Sequence, residues 1–527
     1  MRRWKIAVTV GSLTVGACAV AVYLGARHVS KRFEPYIRER AIEYLSQRFE
    51  SEVELTALHV TVPKFSPVRL LLDRGRGSMA RVEGEGIQLR HRGRRDVPPL
   101  FRMRSFQFEV DLGRLFEPTK HVETVLLRGM EIHIPPKGDR PQFHFGGRYD
   151  PEKAKQQSAS VILGEVILED ATLVLMPRRK DRKPLRFSLH HVRLESAGVD
   201  QQMRYNVVMT NPRPPGKIDS RGLFGPWNAD EPGDTPLKGA YEFSHADLGV
   251  FSSIHGILHS TGTFRGTLSS VEAAGEARVP DFGLKRSSHR LPLYTRFEVL
   301  VDGTNGDTVL RPVHARLGQT EFRTSGAVIK HDGDMRRRIH LEVNMPAGHL
   351  NDLMRLAAKG PPLMEGLLDL KAKIDLPPLS GKVVERLVID GRFAIQQGRF
   401  LKSNIQDKID TLSRRGQGTP NAAAVDEVFS RMTGSFHLED QALTFRELGF
   451  AVPGAQVQLA GGYDMDNDVL DFKGSLKLDA TVSRTMTGWK RVVLKPADPF
   501  FSKNGAGTFL KIQVTGSSKD PKFGRAK

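Results

Sequence analysis

At 527 residues the chain exceeds what one ordinary hydrophobic core supports, which calls for two to four domains or a repetitive architecture. Apolar residues at 39%, aromatics at 7%, 50 glycines and 31 prolines favour many short strands and turns over a few long helices. The formal net charge of +19 makes the surface basic without choosing among nucleic acid, anionic lipid and acidic glycan, while the single cysteine, Cys18, excludes an intramolecular disulfide and a cysteine metal cluster.

The amino terminus reads as a membrane anchor. A short basic tail (residues 1–5) precedes an uncharged run from Ile6 to Ala26. At about 1.5 Å per helical residue, such a run just spans the ~30 Å hydrocarbon layer. The apolar region of a cleaved signal peptide is shorter, ~7–15 residues. "VGAC" ending at Cys18 is loosely like a lipoprotein cleavage site, but apolar sequence continues through Leu24. Positive charge flanks both ends: Arg2, Arg3 and Lys5 before the run, Arg27, Lys31, Arg32, Arg38 and Arg40 after it. That count favours the wrong end for an exported body, although long domains translocate largely regardless of charge. Residues 27–50 then place Phe33, Ile37, Ala41, Tyr44, Leu45 and Phe49 near helical spacing, which predicts an amphipathic stalk helix.

From residue 51 the period changes to two. Met130, Ile132 and Ile134 alternate with Glu131 and His133. Ile339, Leu341, Val343 and Met345 alternate with His340, Glu342 and Asn344, and Leu368, Leu370, Ala372, Ile374 and Leu376 do the same against charged neighbours. One apolar and one polar face marks antiparallel sheet wetted on one side. The expected organisation is a β region over 51–345, with a proline-rich linker near 210–236, and a second β region over 346–527. Short helices are expected near 349–359, 403–415 and 425–432, the first stopped by Gly360-Pro361-Pro362. "VILEDATLVL" and "FHLEDQALTF" both place Leu-Glu-Asp between alternating runs, the trace of a repeated hairpin.

The motifs of chemistry are absent or incomplete. No phosphate loop, nucleophile elbow or His-Glu-x-x-His occurs. His255 and His259 have the four-residue spacing of zinc ligands on a helix, but Gly256 lies between them and no acid adjoins. The stretch "VDGTNGDT" from Val301 to Thr308 is similar to the Asp-x-Asp-Gly-Thr of aspartate phosphatases, yet Leu300 stands where the nucleophile belongs. As a calcium loop it fails at Gly306, which offers no side-chain ligand. Asn305-Gly306 between alternating runs reads instead as a hairpin turn. The expectation is no enzyme, no cofactor, no metal and no nucleic-acid partner, with the lysines and arginines spread over solvated strand faces.

Several segments together resemble the AsmA-like family of bacterial envelope proteins, to which TamB is related. They are the anchor followed by "YLSQRFESEVELTALHV"; the block "LKGAYEFSHADLGVFSSIHGILHSTGTFRGTL" through "GEARVPDF"; and "MTGSFHLEDQALTFRELGFAVPGAQVQLAGGYDMDNDVLDFKGSLKLDA" with "PADPFFSKNGAGTFLKIQVTGSSKDPKFG". The resemblance implies a single-pass inner-membrane helix with the bulk of the chain in the periplasm. It implies a mainly β fold in which a long antiparallel sheet curls into a groove (β-taco-like), with a few short helices. The implied role is outer-membrane biogenesis and homeostasis, by binding or conducting phospholipid acyl chains. The implied partners are phospholipid and membrane, with other envelope proteins as further candidates. The alternative is a structural envelope assembly factor acting through protein contacts without lipid transfer. The positions expected to line the groove are Ile339, Leu341, Val343, Leu368, Leu370, Ile374, Leu470, Phe472, Leu476 and Leu478. Transfer of an acyl chain from water onto such a face is favourable by ~0.8 kcal/mol per CH₂. A closed β-sandwich core carries the same sequence pattern.

Overall fold

The computed structural model describes residues 51–61, 79–91, 101–111, 120–134, 161–176, 184–197, 202–226, 232–330, 336–422 except 358, 428–485 and 507–525 except 519, with a few positions in 35–46 and 95–99. The expected tail (1–5), the anchor (6–26) with Cys18, and most of the stalk (27–50) lie outside them. Among the described residues no helix is long and apolar enough to cross a membrane. Arg38 and Ile42 are helical; Ile42 packs on the core beneath, and Arg38 donates a hydrogen bond to the Leu55 carbonyl.

The protein is mainly β, with twenty-four strands and few helices among the described residues, and it divides into two units. The first comprises residues 1–244 and 264–268. Its strands are β1 (Ser51–Thr61), β2 (Met79–His91), β3 (Phe101–Asp111), β4 (Lys120–Ile134), β5 (Val161–Leu175), β6 (Leu185–Ala197), β7 (Met203–Pro212), β8 (Pro215–Phe224) and β9 (Pro236–Asp247). Each pairs with the next, antiparallel throughout except for the parallel β4–β5 pair. Their apolar sides form one row after another: Leu55, Ile87 and Met103 face one another across β1, β2 and β3, and Val166, Leu168 and Ala171 anchor β5.

The second unit comprises His245–Thr263 and Ser269–Lys527. After β10 (Ile254–His255) and β11 (Ile257–Thr267) come β12 (Ser270–Leu284), β13 (Leu291–Val301), β14 (Thr308–Leu317), β15 (Thr320–Ile329), β16 (Arg338–His349) and β17 (Met364–Leu376). Then follow β18 (Val388–Phe400), β19 (Ser430–Glu439), β20 (Ala442–Val452), β21 (Ala455–Asp464), β22 (Val469–Leu478), β23 (Thr508–Gly516) and β24 (Pro521–Arg525). From β12 onward every strand pairs antiparallel with its successor. Helices α1 (Leu350–Ala357), α2 (Val383–Arg386) and α3 (Ser403–Gly416) are inserted in the connections.

Four sequence expectations are corrected. The division between units falls at residue 245, not near 345. The proline-rich stretch near 210–236 is no linker, because most of it is the β7–β8 hairpin. Pro212 and Pro215 end and begin the strands and Pro214 is in the turn, so no interior ladder bond is lost, and Ile218 still pairs with Met209. The helix expected at 425–432 is absent over its described part: Val428 and Phe429 are extended and Ser430 opens β19. The Val428 amide donates to Asp410 Oδ1 and its carbonyl accepts from Gln406 Nε2, so α3 consumes the backbone groups a helix would need. Finally, Leu168-Glu169-Asp170 is not at a turn. It lies inside β5, where Asp170 has a φ of 55° and the register with β6 runs on unshifted from Glu169 to Ala171, whereas Leu438-Glu439-Asp440 does close the β19–β20 hairpin.

Glycines relieve crowding where strands approach closely. A Cβ on Gly474 in β22 would lie 1.8 Å from the Gln458 carbonyl of β21, whereas one on Gly360 would meet nothing within 4 Å. Gly474→Ala is therefore expected to destabilise the second unit by about 1–3 kcal/mol. Gly360→Ala should leave the thermal midpoint within error of the parent; equal midpoints for both variants would contradict the close approach.

Candidate functional site

Cross-strand register collects the apolar side chains of the second unit on one face. Ile339, Leu341 and Val343 of β16 stand opposite Leu376, Ile374 and Ala372 of β17, and the row through Met345 and Leu370 continues it. Leu368, Leu370 and Ile374 in turn meet Ile395, Phe393 and Ile389 of β18. The same rows run on through Met432, Gly434 and Leu438, then Phe450, Leu448 and Leu443. They reach Val457, Leu459 and Tyr463, and finally Leu476, Gly474 and Leu470 of β22. Phe472 and Leu478 belong to the same set, opposite Gly461 and Ala455. All of the sequence-predicted lining positions thus share one face. Toward the other side it extends through Val328, Leu310 and Val301 to Val271 of β12.

An aromatic belt, which the alternation argument did not single out, crosses the middle of this face. Phe393, Phe436, Phe445 and Phe472 follow one another at ring-centroid distances of 6.2, 6.3 and 5.9 Å. Glycine makes the room: a Cβ on Gly391 would lie 2.5 Å from the Phe436 ring. The signal was present in "GRFAI", "GSFHL" and "LTF", where each phenylalanine occupies an apolar position of its strand and two stand close to a glycine.

One end of the face is closed. Leu350 of α1 enters a buried cluster with Met345, Met364, Leu368 and Ile395. Asp352 of the same helix, 5% exposed, accepts from the Gln319 amide (2.9 Å) and Thr320 Oγ1 (3.0 Å) in the β14–β15 turn. Ser287 of the β12–β13 connection donates to the Arg355 carbonyl (2.6 Å). Helix α1 thus reaches from the β16–β18 cluster across the β14–β15 turn to the β12–β13 connection. Next to it α3 covers the ends of β18 to β22. Its Ile409 and Leu412 pack on Val452, Ala455 and Leu478, and Ser413 Oγ donates to the Pro453 carbonyl (2.8 Å). Gly416 passes so close to Gly454 that a Cβ would lie 2.3 Å from its carbonyl.

At the opposite end the same face is less covered. Met345, Leu368 and Leu478 are buried, whereas Ile339, Leu341, Val343, Leu370, Ile374, Leu470 and Leu476 remain half-buried; Phe472 is buried in the belt. The connections there are hairpins. In "VDGTNGDT" Asp302 accepts from the amide (2.8 Å) and hydroxyl (2.6 Å) of Thr304, and Gly306 has a φ of 81°. Asp307 accepts from the Lys330 amide (2.9 Å) and pairs with Arg337. Asp302 thus closes its own turn, and Asp307 ties that hairpin to the adjoining β15–β16 connection. His255 and His259 fall on separate strands, β10 and β11: the first meets Arg290 at 2.5 Å, the second stacks edge-on against His245 at 5.0 Å.

The reverse face is wet and carries its charges in cross-strand pairs. Arg296 meets Glu276 at 3.2 Å, Arg311 meets Glu272 at 3.1 Å, and Arg338 meets Asp375 at 2.9 Å. His437 lies between Asp390 (2.8 Å) and Glu439 (3.2 Å), whose hydrogen bonds to the imidazolium push its pKa above the ordinary 6.5. Comparison with family models, with curated proteins and with solved structures found no match for this chain.

Two outcomes follow from this geometry. Asp352→Ala strips two donors of the buried α1 contact of their acceptor and should destabilise by about 1–3 kcal/mol in chemical unfolding, Asp352→Asn by less. Because the folded pKa of His437 is raised, its stabilising contribution is complete below pH 6.5 and is lost as pH rises through the folded value. Thermal midpoints taken across that window should fall in the parent relative to His437→Gln; parallel profiles would dismiss the pairing.

Proposed function

We propose that this chain is a membrane-anchored envelope protein of the bacterial inner membrane, with the bulk of the chain in the periplasm, whose apolar sheet face receives phospholipid acyl chains. In this reading it serves outer-membrane biogenesis and homeostasis as a binder or conduit, with no catalytic step. The observation that carries the proposal is the single apolar face running from β12 to β23, closed by α1 and α3 at one end and half-buried at the other. At that end Ile339, Leu341, Ile374 and Leu470 are half-buried, and Leu438 is buried. From β12 to β23 the face measures about 50 Å along the strand-stacking direction, at ~4.8 Å per strand. Half of a ~30 Å hydrocarbon layer is ~15 Å, so the face accommodates several acyl chains side by side. The AsmA-like resemblance of the sequence points to the same use of such a sheet and supplies the compartment.

One observation favours a second reading, an envelope assembly factor working through protein contacts. The short strand β24 pairs with β23 along one edge, and its Phe523 is 78% exposed. An exposed apolar residue on an edge strand is a template for pairing with another chain.

Native mass spectrometry of the full chain extracted from membranes in mild detergent separates the two. Bound phospholipid is expected in the parent, and Leu341→Arg and Ile374→Asp, which place charge on the half-buried end, should release it while circular dichroism stays unchanged. A lipid-free parent that retains a protein partner would replace the first reading by the second.

A further inference from the structure

The half-buried end of the second unit contains a buried cation that meets no counter-charge among the described residues. Arg386, the last residue of α2 in the β17–β18 connection, is only 9% exposed. Its Nη1 donates to the Pro377 carbonyl, and its Nε is buried with no hydrogen-bond partner. Among the described residues the acids of the neighbouring hairpins are committed elsewhere: Asp307 to Arg337, Asp375 to Arg338 and Glu385 to Lys382. What does stand near is a second cation. Arg336, from the β15–β16 connection, donates to the Gly381 carbonyl at 3.0 Å, one residue before the N-cap of α2; burial, and after it the Arg336 charge, push the Arg386 pKa down. A buried guanidinium beside another guanidinium is strongly unfavourable unless an anion joins them. Guanidinium edges take phosphate and carboxylate oxygens in a fork; Arg336 is exposed, and the Nε of Arg386 lies buried without a partner.

The place matters as much as the charge. Pro377 follows Leu376, the last apolar residue of β17, and Arg386 precedes β18 by two residues, with Ile389 the first residue of its apolar row. The cation pair therefore sits where the apolar rows run out, at the end that α1 and α3 leave uncovered.

We propose that Arg386 and Arg336 form a phosphate-binding site at the open end of the apolar face, which holds the anionic headgroup of a phospholipid whose acyl chains lie on that face. The site rests on the acyl-binding reading for its lipid source, while its anion chemistry stands on the two arginines alone. Headgroup and acyl chains are then recognised by different parts of one surface, so that anionic phospholipid is preferred over neutral diacylglycerol.

The test uses the full chain in detergent, with Arg386→Gln and Arg336→Gln, the latter at an exposed position. Monomeric dihexanoyl phosphatidylglycerol, dihexanoylglycerol and inorganic phosphate are titrated by calorimetry. The expected result is that each variant weakens phosphatidylglycerol about tenfold or more and leaves dihexanoylglycerol unchanged. Arg386→Gln should also melt no lower than the parent, since it removes an uncompensated buried charge. Unchanged phosphatidylglycerol affinity in both variants overturns the site and leaves the acyl reading standing. Equal loss of both lipids, or a lowered melting point with unaltered binding in Arg336→Gln, shows a structural strut and also overturns it. Arginine-dependent binding of inorganic phosphate with no binding of either lipid upholds the anion site and sinks the acyl reading. A parent that binds none of the three overturns both.

Discussion

Everything in the second unit depends on the pleat. Side chains on a strand point alternately to opposite faces, so a sequence that alternates apolar and polar residues hands each sheet one face that water disfavours. Antiparallel pairing of each strand with its successor then adds these faces together, row upon row, and bulges such as that between Ser435 and Phe436 restore the register wherever a residue too many is present. An apolar face of this size has to be covered by something.

The cover is divided. Two helices, α1 and α3, close one end through buried leucines and methionines and through polar bonds to the turns below. Their contacts are distant in sequence and tie several strand connections together. The hairpins at the other end are tied to one another by Asp307, Arg337 and Asp375 and leave the apolar rows half-covered. Rigidity and exposure thus coexist on the same strands. On the acyl-binding proposal, the scaffold is ordered before the ligand arrives, which lowers the cost of binding.

The strands were legible because period two is a local signal. Ile339, Leu341 and Val343, or Leu368, Leu370 and Ile374, report their common face within a few residues. So was α3, whose Ile405, Ile409 and Leu412 repeat at helical spacing. What failed was the reading of punctuation. Prolines at 212, 214 and 215 signalled a linker but sit at strand ends and in a two-residue turn, where they cost no ladder bond. Val425 to Met432 carried helical spacing, yet Gln406 and Asp410 of another element had already taken the backbone of Val428. The aromatic belt and the unpaired Arg386 depend on neighbours far away in the chain. No window of local sequence contains them.

The pairing of each strand with the one that follows it has a further consequence. Contacts in such a sheet are nearly all between nearest neighbours, so its free energy is close to a sum over hairpins and the interfaces between them, as in solenoid repeats. Folding can start at any hairpin and spread along the stack, with short loop closures except at the long connections before β5, β19 and β23. A hairpin could be added or removed at one place with the rest of the register intact. Length along the stack becomes an adjustable dimension, and a protein of this plan can be fitted to whatever span it has to bridge.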